Sequence, residues 1–120
     1  MYHGTSGTPP IAIYKSEEGF DMSYSRAGMW GHANYFAKNS SYSNSYAFNG
    51  TGNGTRQMFC AKVLIGKPCV QGPDNTLKRP PMIPGASIPY DSVQGQTGGS
   101  DVIMVYSNKK AYPQYLITYK

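Results

Sequence analysis

Charge is scarce in this sequence: Asp, Glu, Lys and Arg make up 14% of its 120 residues. That excludes a highly charged helical protein, and a hydrophobic content of 39% excludes a disordered tail. Acid is scarcer than base, 6 residues against 11, so the net charge is +5. Such a balance suits an anionic ligand such as a dinucleotide, a nucleic acid, or solubility alone. The basic residues are not clustered, however; Lys78 with Arg79 and Lys109 with Lys110 are the only adjacent pairs, which argues against nucleic acid. Cysteine is nearly absent, and Cys60 and Cys69 have neither a second CxxC nor a histidine-rich partner set, so the expectation is reduced thiols. No apolar run reaches the ~18 residues of a membrane span and no signal peptide precedes Tyr2. A soluble intracellular protein, cytoplasmic or nuclear and without a membrane partner, is therefore expected. Asn39, Asn49 and Asn53 sit in N-x-S/T patterns that are chance matches without a secretion signal. Internal repeats are also lacking.

What is plentiful is tyrosine, with 11 residues, beside 14 glycines and 9 prolines. This composition favours short strands and many turns over long helices. The length fits one domain spanning 1–120, which buries roughly two thirds of its unfolded surface.

Along the chain, 1–4 can be only a strand end, because Gly4 and the 5–10 cluster force a turn. Pro9 and Pro10 open a segment that Gly19 terminates, framing about two helical turns. A polar loop with Tyr24 at its tip follows over 20–28. A short strand is expected over 34–37, a helix over 39–48, and a flexible glycine-rich segment over 49–55. Residues 57–65 read as a mostly buried strand. A long loop is expected over 68–100, functional or mobile by its length. Strands are expected over 101–106 and 115–119, joined through Asn108 by a hairpin-like turn. The sum is a β-rich α+β domain with short helices and long loops.

The stretch 29–46 concentrates the chemistry. If Asn39 or Ser40 caps a helix, Ser43 and Tyr46 lie three apart on one face. Hydroxyl and ring together suit a flat polar heterocycle, which needs a π face and a group that fixes its orientation. Core aromatics are the alternative for Tyr35, Phe36 and Tyr46. Trp30 reads as core, His32 as surface, and Cys60 as a buried thiol.

In order along the chain stand His3-Gly4-Thr5, Gly19-Phe20-Asp21, Met29-Trp30-Gly31, Tyr35-Phe36-Ala37, Ser43, Tyr46 and the run AYPQYLITY from Ala111. On these motifs the chain resembles the catalytic domain of the PARP family, nearest to its tankyrase and macrodomain-linked mono-transferase branches. The resemblance implies a split antiparallel β-sheet around a cleft for NAD+, which is the co-substrate, with no metal required. It implies that His3 holds the adenosine-side ribose and that Gly4 and Ser43 hold the nicotinamide amide. It further implies that Tyr46 stacks on the nicotinamide ring and that Tyr35 closes its other side. Asp21 and Tyr24, in the 20–28 loop, become second-rank contacts, and 87–99 becomes the loop bordering the acceptor. His3, Tyr35 and Gln114 form the implied catalytic triad around one shared cleft. The implied reaction moves ADP-ribose from NAD+ to a protein acceptor, or a nucleic-acid one, with release of nicotinamide.

Two departures qualify that implication. Polymerising relatives have glutamate where Gln114 stands. A carboxylate about 4 Å from a developing cation, at an effective dielectric near 20, contributes roughly 4 kcal/mol, on the order of a thousandfold in rate. Glutamine forfeits that, and mono-ADP-ribosylation becomes the expectation, with a catalytically attenuated NAD-binding module as the alternative. Relatives also carry a further strand and helical material ahead of the HG motif, so an N-terminally short domain is expected. Ala33 replaces a glycine common in the turn before Tyr35, a minor change where φ is negative.

Overall fold

The computed structural model describes residues 1–25, 27–50 and 52–120. Arg26, within the 20–28 loop, and Thr51, within the glycine-rich segment and the Asn49 pattern, lie outside the described residues. The elements in chain order are β1 (Tyr2–His3), α1 (Ile11–Tyr14), β2 (Ala27–Gly28), β3 (Gly31–His32), β4 (Asn34–Ala37), α2 (Ser40–Asn44), β5 (Arg56–Val63), β6 (Pro68–Val70), β7 (Ser92–Thr97), β8 (Ser100–Val105) and β9 (Ala111–Tyr119). Seven strands form one sheet in the order β6-β7-β8-β4-β1-β5-β9, and β2 pairs separately with β3. Within the large sheet only β6 with β7 is parallel. This is the expected α+β architecture.

β1 is what makes the sheet a split one. It meets β4 at the single pair Tyr2↔Ala37 and β5 at Tyr2↔Cys60 and His3↔Phe59. Beyond His3 the chain turns away: Thr8 N–H donates to the Thr5 carbonyl at 3.0 Å, and Thr5 Oγ1 donates back to the Thr8 carbonyl at 2.7 Å. A four-strand block and the β5-β9 pair are thus joined through a strand two residues long.

The core sits on both faces of the four-strand block. Phe36, Ile103 and Val105 face one cluster with Ile13, Phe20, Phe59 and Ala61. Ala37, Val102 and Met104 face another with Trp30, Ala33 and Val93. Alternation along β8 sends successive residues to opposite clusters, so this strand reads as an unbroken apolar run. Phe20 makes edge contacts to Phe36 and Phe59 at centroid distances of 5.1 and 5.4 Å. Each fully buried Phe contributes about 1.5–3 kcal/mol.

Several expectations are corrected. The two-turn helix after Pro10 is the single turn α1, because Ser16 Oγ takes the Glu18 N–H at 3.1 Å and starts a turn, with Gly19 at φ +61°. The 39–48 helix is the five-residue α2; Phe48 leaves it to bridge Gln57, exchanging both backbone bonds. The strand expected at 115–119 begins earlier, at Ala111. The 68–100 stretch is not one loop but holds β6 and β7. β7 escaped notice because it carries little apolar character. Its Gly95 is there for room, since a Cβ would collide with the Trp30 ring. β8 and β9 are not a hairpin either: β8 pairs with β7 and β4, and β9 with β5, four places across the sheet.

Candidate active site

Where β1 gives out, a cavity of about 850 Å³ opens at the split. Seven residues singled out in the sequence line it together: His3, Gly4, Asp21, Tyr24, Tyr35, Ser43 and Tyr46. β1 and β4 bring His3 and Tyr35 in, α2 brings Ser43, and the turn after α2 brings Tyr46.

His3 Nδ1 donates to the Tyr35 carbonyl at 2.6 Å. Because a carbonyl only accepts, Nδ1 carries the proton, and Nε2 has no protein partner among the described residues. Phe20 and Phe36 lie 5.0 and 5.1 Å from the ring. Burial pulls the imidazole pKa below the ordinary value, against the opposing pull of the Tyr35 carbonyl.

Tyr35 is fixed by its phenol, which accepts from Trp30 N–H at 2.9 Å and donates to the Gly31 carbonyl at 2.7 Å. Burial raises its pKa, against the opposing effect of the backbone at Trp30 and Gly28. Tyr106 holds the same turn by donating to the Trp30 carbonyl at 2.7 Å. With its hydroxyl committed, Tyr35 offers the cavity an oriented ring.

Gly4 is required by proximity: a Cβ there would overlap the Tyr46 carbonyl and stand 2.8 Å from Ala47 N. Ser6 N–H donates to that Tyr46 carbonyl at 2.7 Å, so the chain after β1 and the end of α2 run against each other. The turn continues through Tyr46 N–H to the Ser43 carbonyl at 2.9 Å. Ser43 is 3% exposed and Tyr46 47%, which leaves the Tyr46 ring open for stacking. Tyr42 lies beside it at a centroid distance of 5.4 Å. Burial, then the bond to Tyr46, push the Tyr42 pKa to about 12. Asn39 stands at the helix N-cap position but does not cap with its side chain, which donates instead to the Gly99 carbonyl at 3.2 Å.

Asp21 caps a turn of 3₁₀ helix at Met22–Tyr24 by accepting from Ser23 N–H at 2.9 Å. That bond first, then the Ser23 hydroxyl and Asn108, hold its carboxyl below the usual range. Tyr24 is half exposed at the cavity wall.

Gln114 does not join them. Ala61 pairs with Pro113 and Cys60 with Tyr115, so Gln114 is the extra residue of a β-bulge, exposed and outside the cavity lining. The third triad member implied by the resemblance is thus separated from His3 and Tyr35. Leu116 is the β9 residue in line with His3, each paired to Phe59. Within the stretch 87–99, expected as one loop, 92–97 form β7.

Sequence reading missed Asn34, 3% exposed and lining the cavity, and Asn108, which reaches across from the β8–β9 connection. A polar residue opening an apolar strand was the signal for Asn34. Nothing local marked Asn108.

A split, mostly antiparallel sheet with tyrosine rings and a buried serine around its cleft defines an α+β domain with an aromatic, hydroxyl-lined cavity. Residues 1–120 match the family described as the poly(ADP-ribose) polymerase catalytic domain, and the chain belongs to that family. It is similar to a probable poly [ADP-ribose] polymerase of Dictyostelium discoideum, 36% identical over 121 residues that take in all of this chain and 33% of the relative. It is also similar to the human protein mono-ADP-ribosyltransferase PARP14, 28% identical over 125 residues, all of this chain and 7% of the relative. The chain thus spans a third or less of the length of these relatives.

Proposed function

We propose that this domain transfers a single ADP-ribose unit from NAD+ to a protein acceptor and releases nicotinamide. The observation that carries the reading is the convergence of His3, Gly4, Tyr35, Ser43 and Tyr46 on one cavity from the end of β1, from β4, and from the C-terminal end of α2 with the turn after it. In this reading the Tyr35 and Tyr46 rings flank the nicotinamide. The Gly4 backbone and the Ser43 hydroxyl hold its amide, and His3 Nε2 meets the adenosine-side ribose. Cleaving the glycosidic bond leaves an oxocarbenium-like ribose, so orientation and preorganised polar groups supply the catalysis.

Transfer of one unit is supported by β9, which has no Asp or Glu from Ala111 to Tyr119. The strand therefore offers no carboxylate to act as a base toward a second ADP-ribose hydroxyl. A binding module without turnover is the second reading, favoured by one fact: among the described residues, Asp21 is the only acidic or basic side chain besides His3 lining the cavity. Incubation with NAD+ and candidate acceptors, followed by nicotinamide assay, mass spectrometry and a chain-length gel, tests both. Nicotinamide release with one ADP-ribose per site supports transfer. Affinity without release selects the module, a polymer ladder overturns the single-unit reading, and absence of affinity overturns both.

A further inference from the structure

We infer that Asn34 is a positioning residue for the roof of the cleft, holding segment 20–25 in one shape before a ligand arrives. The structural part of this inference stands alone; its consequence for affinity rests on the proposed NAD+ cleft.

Asn34 opens β4 among apolar neighbours and is 3% exposed. A buried carboxamide is costly unless paired, and here both halves are paired to the same segment. Nδ2 donates to the Phe20 carbonyl at 2.7 Å, and Oδ1 accepts from Ser25 Oγ at 2.6 Å. One side chain thereby ties both ends of a stretch whose Phe20, Asp21, Tyr24 and Ser25 line the cavity.

The middle is held from elsewhere. Met22 N–H donates to Asn108 Oδ1 at 2.8 Å, and His32 Nε2 donates to the Met22 carbonyl at 3.0 Å. Asn108 Nδ2 turns to Glu18 Oε2 at 3.1 Å and Asp21 Oδ1 at 3.4 Å. Segment 20–25 therefore takes partners from β3, β4 and the β8–β9 connection, where a loop of this polarity would otherwise use water. A roof already ordered spares the ligand the entropy of ordering it, which is how preorganisation raises affinity.

Hydrogen exchange resolved to short peptides, together with NAD+ kinetics, tests this on Asn34→Leu and Ser25→Ala. Asn34→Leu removes both bonds at similar volume, and Ser25→Ala removes one with little risk to folding. Exchange within 22–25 is expected to rise by about tenfold in the first and about threefold in the second, with β5 and β9 unchanged. KM for NAD+ rises while kcat for nicotinamide release holds. Wild-type exchange of the segment in Ser25→Ala, or acceleration spread evenly over β5 and β9, overturns the inference, and so does a fall in kcat at unchanged KM. If Asn34→Leu does not fold, Ser25→Ala decides alone. Failure of the wild type to bind NAD+ overturns the proposed function and leaves the exchange result standing.

Discussion

His3 donates from Nδ1 to the carbonyl of Tyr35 at 2.6 Å, and this bond joins β1 to β4 where their ladder has already ended at Tyr2↔Ala37. A side chain thus continues the work of a strand at the mouth of the cleft, and the site depends on it for its shape.

The first prediction concerns pH. Burial lowers the His3 pKa in the folded state below the ordinary histidine value of 6.5. The unfolded chain then binds a proton that the folded one resists, so stability is full above the unfolded pKa and declines as pH falls through about 6.5, levelling below the folded pKa. Thermal melts from pH 8 to pH 5 should show that decline, and His3→Gln should flatten it. An NMR titration in which His3 charges at an ordinary pKa contradicts the account.

Gly4→Ala should damage fold and binding together. The added methyl meets the Tyr46 carbonyl and Ala47 N, backbone that cannot swing aside, at a cost of about 1–3 kcal/mol. Urea denaturation and NAD+ titration of the same variant should both register it.

Tyr46→Ala should separate the two. The ring is 47% exposed, so little core is lost, while a stacking contact worth about 1 kcal/mol corresponds to roughly a fivefold rise in Kd for NAD+. Calorimetric titration against unchanged melting is the check.

Tyr35→Phe keeps the ring and deletes the phenol that accepts from Trp30 and donates to Gly31. Leaving those partners unpaired should cost about 1–3 kcal/mol of stability, read by denaturant midpoint. A midpoint equal to wild type would show that water replaces the hydroxyl freely.

Gln114→Glu is expected to change nicotinamide release by no more than about fivefold, because an exposed carboxylate outside the cavity acts through a dielectric nearer 80. A gain on the order of a thousandfold would show that the bulge turns this side chain into the cleft.

Much of the site was legible because its parts are local. HG before a forced turn, YFA as a strand, and Ser43 three residues ahead of Tyr46 are spacings that secondary structure converts directly into shared faces. Ala33 takes its glycine-like place without strain, since Ser6 is the only non-glycine residue at positive φ among the described residues. Trp30 is core as read, at 1% exposure. His32 is exposed as read, yet its ring holds the Met22 carbonyl, a role no neighbouring residue announces.

β7 and the path of β9 were illegible for a different reason. SVQGQT has weak strand character, and it is a strand because β6 and β8 hydrogen-bond it on both sides while Gly95 admits the Trp30 ring. The short link after β8 looked like a hairpin, but both edges of β8 are taken by β7 and β4, which leaves β9 to pair with β5.

By itself the sequence determined the class of fold, the family and the set of aromatic and hydroxyl groups, because composition, period and motif order are properties of a chain read locally. Tertiary structure alone decided which of those groups meet. A one-residue bulge on β9 leaves Gln114 outside the cleft, and the carboxamides of Asn34 and Asn108 find the 20–25 segment across gaps of up to 87 residues. Strand register and long-range hydrogen bonds are settled by competition among partners, and no window of sequence contains all the competitors.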